Sequence, residues 1–319
     1  MSIFKRFIIY ILLKISRRRQ KRGSSIYNTR FGYKLYSNIV FRLSNVPADV
    51  NVEFVTIGDV YGLRATPPNK SSKVIMYIYG GSFVLGLEHV KGAYIPFAAR
   101  LAKASGAEVW IPSYRMAPEF AFPAQGEDCL NSYVGLLRRG VKPQDISVMG
   151  AGSGASLALA LIMDLRDRGL PLPESVATIS AWTDLSLTAN SLYTRADRDP
   201  MFNSDTVHGY FNHYLQGSSP KEPLASPLYG DFKGFPRLYM IVGGREMFYD
   251  DTIRVAEKAK EAGVDVTLDA NEKMVYGYPI YFDIYTEGRA AVDRLAAFVN
   301  ETPTLTLQDK KPSKRKNVS

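Results

Sequence analysis

The sequence predicts an α/β fold, with a mostly parallel central sheet covered by helices on both faces and a helical cap. Two observations lead there. From residue 70 onward, short runs rich in Val, Ile and Tyr alternate with amphipathic helical patterns, the mark of a parallel sheet enclosed on both sides. The stretch "ISVMGAGSGASLALALIMDL", residues 146 to 165, begins as a strand, passes through small residues and continues as a helix. The chain has 319 residues, 46% of them hydrophobic, enough to bury the core of one large domain.

In chain order, "KVIMYIYG" reads as a strand and "AYIPFAARLAKASG" as a helix closed by its C-terminal glycine. "EVWIPSY" is the next strand and "AQGEDCLNSYVGLLRRG" the next helix. After the 146–165 stretch come strands "SVATISAW" and "LYMIVGG", helix "DDTIRVAEKAKEAG", strand "DVTLDA" and helix "EGRAAVDRLAAFVN". Residues 185–230 break the alternation and read as a helical cap inserted in the domain, which spans residues 23–303.

The net charge of +9 sits at the two ends. Residues 1–22 carry eight Lys or Arg and no acid, and the last ten carry five more. Without those thirteen cations the body, residues 23–309, is left at about −4. A nucleic-acid-binding face on the domain is therefore not expected. Phe4, Phe7, Ile8, Ile11, Leu12 and Ile15 share one helical face, and the longest apolar run near them is far short of the ~20 residues of a membrane span. Three readings stay open for residues 1–22: a helix lying on an anionic membrane surface, a helix packed on the domain as part of its cap, or a cleaved organellar targeting peptide. Residues 304–319 read as a solvated basic tail. One cysteine, Cys129, excludes a disulfide framework and suits an intracellular setting, cytoplasmic or peripheral on a membrane such as the endoplasmic reticulum. No cofactor and no metal site is expected.

The order of these segments resembles the hormone-sensitive-lipase family of α/β-hydrolases, over roughly residues 45–300. "MYIYGGSFVLG" is similar to the family's H-G-G-G-F segment, and "PSYRMAPEFAFPA" to its D-Y-R-L-A-P-E…F-P-A signature. "SAWTDLSL", "RADRDPMF" and "VGGREMFYDD" match further stretches of it. The resemblance implies an α/β-hydrolase fold and descent from esterases acting on lipid or carboxylic esters.

Laid on the family's G-D-S-A-G-G elbow, the chain places Gly152 at the nucleophile and Ser153 one position on. Glycine accepts the strained elbow backbone but supplies no oxygen. Ser153 is then a weak nucleophile candidate, an oxyanion N–H donor, a helix cap or a packing residue. The triad histidine position falls on Tyr276, and the three histidines, His89, His208 and His213, all precede it. A phenol with pKa near 10 is a poor base. Glu246 keeps the triad-acid position, and a hydrogen bond to the Tyr276 hydroxyl is its expected job. Gly80 and Gly81 are expected to offer N–H groups to a ligand. Ser82 stands in place of the family's third glycine, and Tyr79, Phe83, Tyr276 and Tyr278 are expected to line a cleft for a small apolar, aromatic or ester-like ligand.

Two functional readings follow. In one the chain is a binding or regulatory protein that has lost hydrolysis, since triad members act as a unit and the family includes plant gibberellin receptors that bind a ligand after triad loss. In the other it is an enzyme of altered chemistry, a weak esterase using Ser153 or a proton-transfer lyase or isomerase using Tyr276 and Glu246.

Overall fold

The computed structural model describes Ile11 and residues 25–301, apart from the side chains of 204–206. The readings for residues 1–22 and 304–319 thus fall outside the described residues, Ile11 excepted.

One sheet of eight strands organises the chain. In sequence they are β1 (Asn51–Ile57), β2 (Val60–Thr66), β3 (Val74–Ile78), β4 (Glu108–Pro112), β5 (Ile146–Ala151), β6 (Ser175–Ile179), β7 (Arg237–Gly243) and β8 (Val266–Asn271). In space the order is β1-β2-β4-β3-β5-β6-β7-β8. β1 and β2 form an antiparallel hairpin, β2 runs antiparallel to β4, and every pair from β4 to β8 is parallel. All residues of β3, β5 and β6 are buried, as unbroken apolar strands between two helical layers should be. The β1–β2 hairpin was not anticipated above, although Gly58-Asp59 between two alternating runs is a two-residue turn signal.

The helices are α1 (Ile26–Leu43), α2 (Leu87–Ser105), α3 (Ala124–Arg138), α4 (Ser153–Asp167), α5 (Ser191–Thr194), α6 (Ser204–Leu215), α7 (Tyr249–Glu261) and α8 (Thr286–Asn300). α2 packs beside α8 and α3 beside α4. The 185–230 stretch contributes only α5, α6 and one short 3-10 turn.

α1 lies on α2 at a close crossing. The Gly92 N–H donates to Ser37 Oγ at 2.7 Å, and a Cβ on Gly92 would stand 1.8 Å from the Ser37 carbonyl oxygen. Arg30 fixes the other end of α1. Its guanidinium donates to the carbonyls of Val84 (2.9 Å) and Ala117 (2.8 Å) and forks onto the Glu119 carboxylate, a charge-assisted geometry stronger than an ordinary surface pair.

Behind the sheet's C-terminal edge, Asp251 at the start of α7 accepts the N–H groups of Thr183 (2.7 Å) and Asp184 (2.9 Å). Its second oxygen is buried without a partner. Burial, and then the charge of Asp184, push the Asp251 pKa up to about 8. Burial also works against the Asp184 charge, but the Ser186 and Thr188 hydroxyls and Arg254 hold its pKa below the ordinary value. The folded state therefore keeps a proton on Asp251 that the unfolded chain releases near pH ~4. That contribution to stability is complete below pH ~4 and is lost as pH rises to about 8. Asp251→Asn is expected to remove this decline. In urea unfolding the wild type should lose stability relative to the variant by up to about 1.4 kcal/mol per pH unit between pH ~5 and ~8; parallel pH profiles for the two proteins would refute it.

Candidate active site

β5 ends at Ala151 and α4 starts at Ser153, leaving Gly152 alone at the turn with φ 53° and ψ −119°. A left-handed φ of this kind costs glycine nothing and strains any other residue. Backbone bonds fix the turn. The Gly152 N–H donates to the Ile179 carbonyl at 2.9 Å, and its own carbonyl accepts from Trp182 N–H at 3.2 Å.

Directly in front of Gly152 stands Tyr276, from the loop between β8 and α8. A Cβ built on Gly152 would lie 2.0 Å from the Tyr276 hydroxyl oxygen. Positions 152 and 276 thus face each other across the elbow. The phenol fills the space that a side chain at 152 would need. Its ring meets Phe202 edge-on at 4.8 Å and Phe248 at 5.9 Å. Burial pushes the phenol pKa well above 10, so it holds its proton at neutral pH.

Glu246 does not bond to Tyr276, contrary to expectation. It is fully buried, and its Oε2 accepts from the Ser180 hydroxyl at 2.8 Å. The Ser180 oxygen in turn accepts the Gly277 N–H at 3.0 Å, tying the acid to the backbone beside Tyr276 rather than to its phenol. The other carboxyl oxygen has no partner. Burial, with Asp199 nearby, raises the Glu246 pKa well above the carboxylate range. A triad acid stands beside an imidazole; the partner of Glu246 is the Ser180 hydroxyl.

The loop after β3 departs from expectation in the same way. The Gly80 N–H donates to the Tyr94 hydroxyl at 2.9 Å, and that hydroxyl donates back to the Gly80 carbonyl at 3.1 Å. The Gly81 N–H donates to Ser153 Oγ at 3.1 Å. Both groups assigned to a ligand are therefore engaged by the protein's own hydroxyls. Ser153, 2% exposed, is neither a helix cap, since the cap position is Gly152, nor paired with an imidazole. Ser156 bonds the Trp182 carbonyl.

A cavity opens beside these groups, with about 560 Å³ of empty volume including the solvent at its mouth. Its walls carry Tyr33 and Tyr36 of α1, His89 and Tyr94 of α2, and Phe202, Tyr276 and Tyr281, with Gly80, Gly81 and Ser82 along the loop after β3. Three residues expected in the cleft lie elsewhere. Tyr79 is fully buried and stacks on Tyr114 at 4.5 Å. Phe83 stacks on Tyr214 at 3.8 Å, and Tyr278 is sealed in the core. The loop turns through positive φ at Ser82 and Phe83, 50° and 63°, so the direction of these side chains could not be read from their place beside the motif. Tyr33, Tyr36, Tyr94, Phe202 and Tyr281 were missed. For Tyr33, Tyr36 and Val40 the helical spacing was a usable signal, but nothing local singles out the others.

His89 is the one histidine that lines the cavity. Its Nδ1 accepts the Gly86 N–H at 3.0 Å, which places the ring proton on Nε2. Burial lowers its pKa against the pull of Glu88, so the ring is neutral. His208 and His213 are on α6, outside the lining. Among the described residues no group of three His, Cys, Asp or Glu side chains is placed to hold a metal.

The elbow contact yields a double-mutant test. Gly152→Ala should destabilise by about 2–4 kcal/mol through overpacking and positive-φ strain. Adding Tyr276→Phe leaves the nearest ring carbon 3.2 Å from the new Cβ and should recover at least ~1 kcal/mol. Additive effects in urea unfolding would mean that the hydroxyl and position 152 are not in contact.

Residues 75–280 match the alpha/beta hydrolase fold family. The chain is 32% identical over 278 residues to an acetyl-hydrolase of Streptomyces hygroscopicus, covering 87% of this chain and 91% of that protein. It is 29% identical over 250 residues to an esterase of Acinetobacter venetianus, covering 78% and 82%. Among solved structures it superposes on an esterase from the bacterial hormone-sensitive lipase family with a TM-score of 0.85 and 29% identity, covering 94% of this chain and 98% of that one. An esterase/lipase from an uncultured bacterium gives 0.81 and 32%, covering 92% and 97%. With the sheet order, the elbow and the segments quoted above, these matches make the chain a member of the hormone-sensitive-lipase family of α/β-hydrolases, of esterase/lipase-like descent.

Proposed function

We propose that this chain is a catalytically degenerate member of its family, a binding or regulatory protein for a small lipid-like or aromatic molecule held in the cavity beside the elbow. The observation that carries this reading is the Tyr276 hydroxyl in the space before Gly152. Position 152 carries no side-chain oxygen, position 276 carries a phenol rather than an imidazole, and Glu246 behind them is bonded to Ser180.

The cavity wall supports the ligand class. None of its lining residues is Lys, Arg, Asp or Glu, and burial lowers the His89 pKa, so the wall is aromatic and aliphatic side chains with a few hydroxyls, one imidazole and backbone. Such a wall suits an uncharged apolar molecule with one or two hydrogen-bonding groups. The enzyme readings lack comparable support. Ser153 has the Gly81 N–H as its partner rather than a base, and Tyr276 and Glu246, whose pKa values burial raises, have no bond between them.

Intact-mass analysis after treatment with a fluorophosphonate tests this. The wild type is expected to remain unlabelled. A triple variant, Gly152→Ser/Ser153→Ala/Tyr276→His, restores the nucleophile and the imidazole and frees the Gly81 N–H; it is expected to take one adduct at residue 152. An adduct on Ser153 of the wild type would overturn the reading and revive an esterase.

A further inference from the structure

The outward face of α1 carries large apolar side chains in water. Tyr27 is 72% exposed, Phe31 73%, Leu35 53% and Phe41 43%. At the helical pitch these four fall within an arc of about 120°, opposite the buried Tyr36 and Val40. Scattered exposed apolar residues need no explanation, but a contiguous band on one helix marks an interaction surface.

The charges around the band identify the partner. Lys34 and Arg42 are exposed within the same arc, and α1 contains no Asp or Glu. Arg30, at the edge, is already committed to Glu119. The chain enters α1 at Ser25 from residues 1–24, whose sequence holds eight Lys or Arg, no acid, and apolar residues spaced for one helical face. Two copies of this chain meeting through the band would set these cations against each other. An anionic lipid surface satisfies both parts: rings and leucine enter the boundary between headgroups and acyl chains, and the cations meet the headgroup charge.

We propose that α1, with the basic segment that leads into it, docks this protein on anionic lipid surfaces through Tyr27, Phe31, Leu35 and Phe41. Among the described residues no helix is long and apolar enough to cross a membrane, and the proposed contact is interfacial. The inner face of the same helix supplies Tyr33, Tyr36 and Ser37 to the cavity wall, so docking lays the cavity's roof against the lipid. The proposal does not depend on whether the elbow is active.

The test is cosedimentation of the full chain with phosphatidylcholine vesicles, with and without phosphatidylserine, beside a Phe31→Ser/Leu35→Ser variant. The wild type should bind the phosphatidylserine vesicles in a salt-sensitive way. The variant should bind at least about tenfold more weakly with unchanged Tm. If that pair lowers Tm, Tyr27→Ser/Phe41→Ser, at the two ends of the band, serves instead. Failure of the wild type to cosediment would overturn the proposal. So would equal binding by the variant, which would assign any attachment to residues 1–24 alone. Loss of a wild-type dimer in the variant would assign the band to a second copy and overturn it too.

Discussion

The packing of the Tyr276 phenol over the bare backbone of Gly152 sets the state of every other group in the site. No side chain fits at 152 while that hydroxyl is in place, and the ring is wedged there by Phe202 and Phe248. The glycine at 152 and the tyrosine at 276 are therefore a single steric arrangement seen from its two sides. Behind them, Glu246 is fully buried with Ser180 as its hydrogen-bond partner. Desolvation of its carboxylate raises its pKa.

The same economy governs the oxyanion loop. Buried N–H groups cost free energy when left unpaired. Donors of this kind stabilise a developing oxyanion when left free; here Tyr94 and Ser153 accept those of Gly80 and Gly81. The donors belong to the resting structure. What is left open is the neighbouring aromatic cavity, roofed by α1. That helix is held close by the Ser37–Gly92 contact and by the fork of Arg30 on Glu119.

Much of this was legible in the chain. Alternation of apolar strands with amphipathic helices is a local property, and it placed β3 to β8 and the helices between them. The strand–turn–helix around Gly152 could be read by position because the segment order is that of the family, and the same order brought 152, 276 and 246 into view as positions to inspect. The β1–β2 hairpin carried its turn signal in Gly58-Asp59, but a mixed, half-exposed pattern drew no attention. Tyr79, Phe83 and Tyr278 were placed in the cleft because they adjoin site residues in sequence. The structure turns them into the core, since neighbours along a loop point in different directions.

By itself the sequence determined the fold class, the order of the elements and the presence of glycine at 152 and tyrosine at 276. Composition and periodicity are local, and a residue's identity is the same in any conformation. Only the tertiary structure decided that Tyr276 blocks position 152, that Ser153 pairs with Gly81 and Glu246 with Ser180, and that α1 forms the roof of the cavity. Those pairings join residues 72 and 66 positions apart. Which donor reaches which acceptor over such separations is set by the stacking of the sheet and its helices, and no window of sequence contains it.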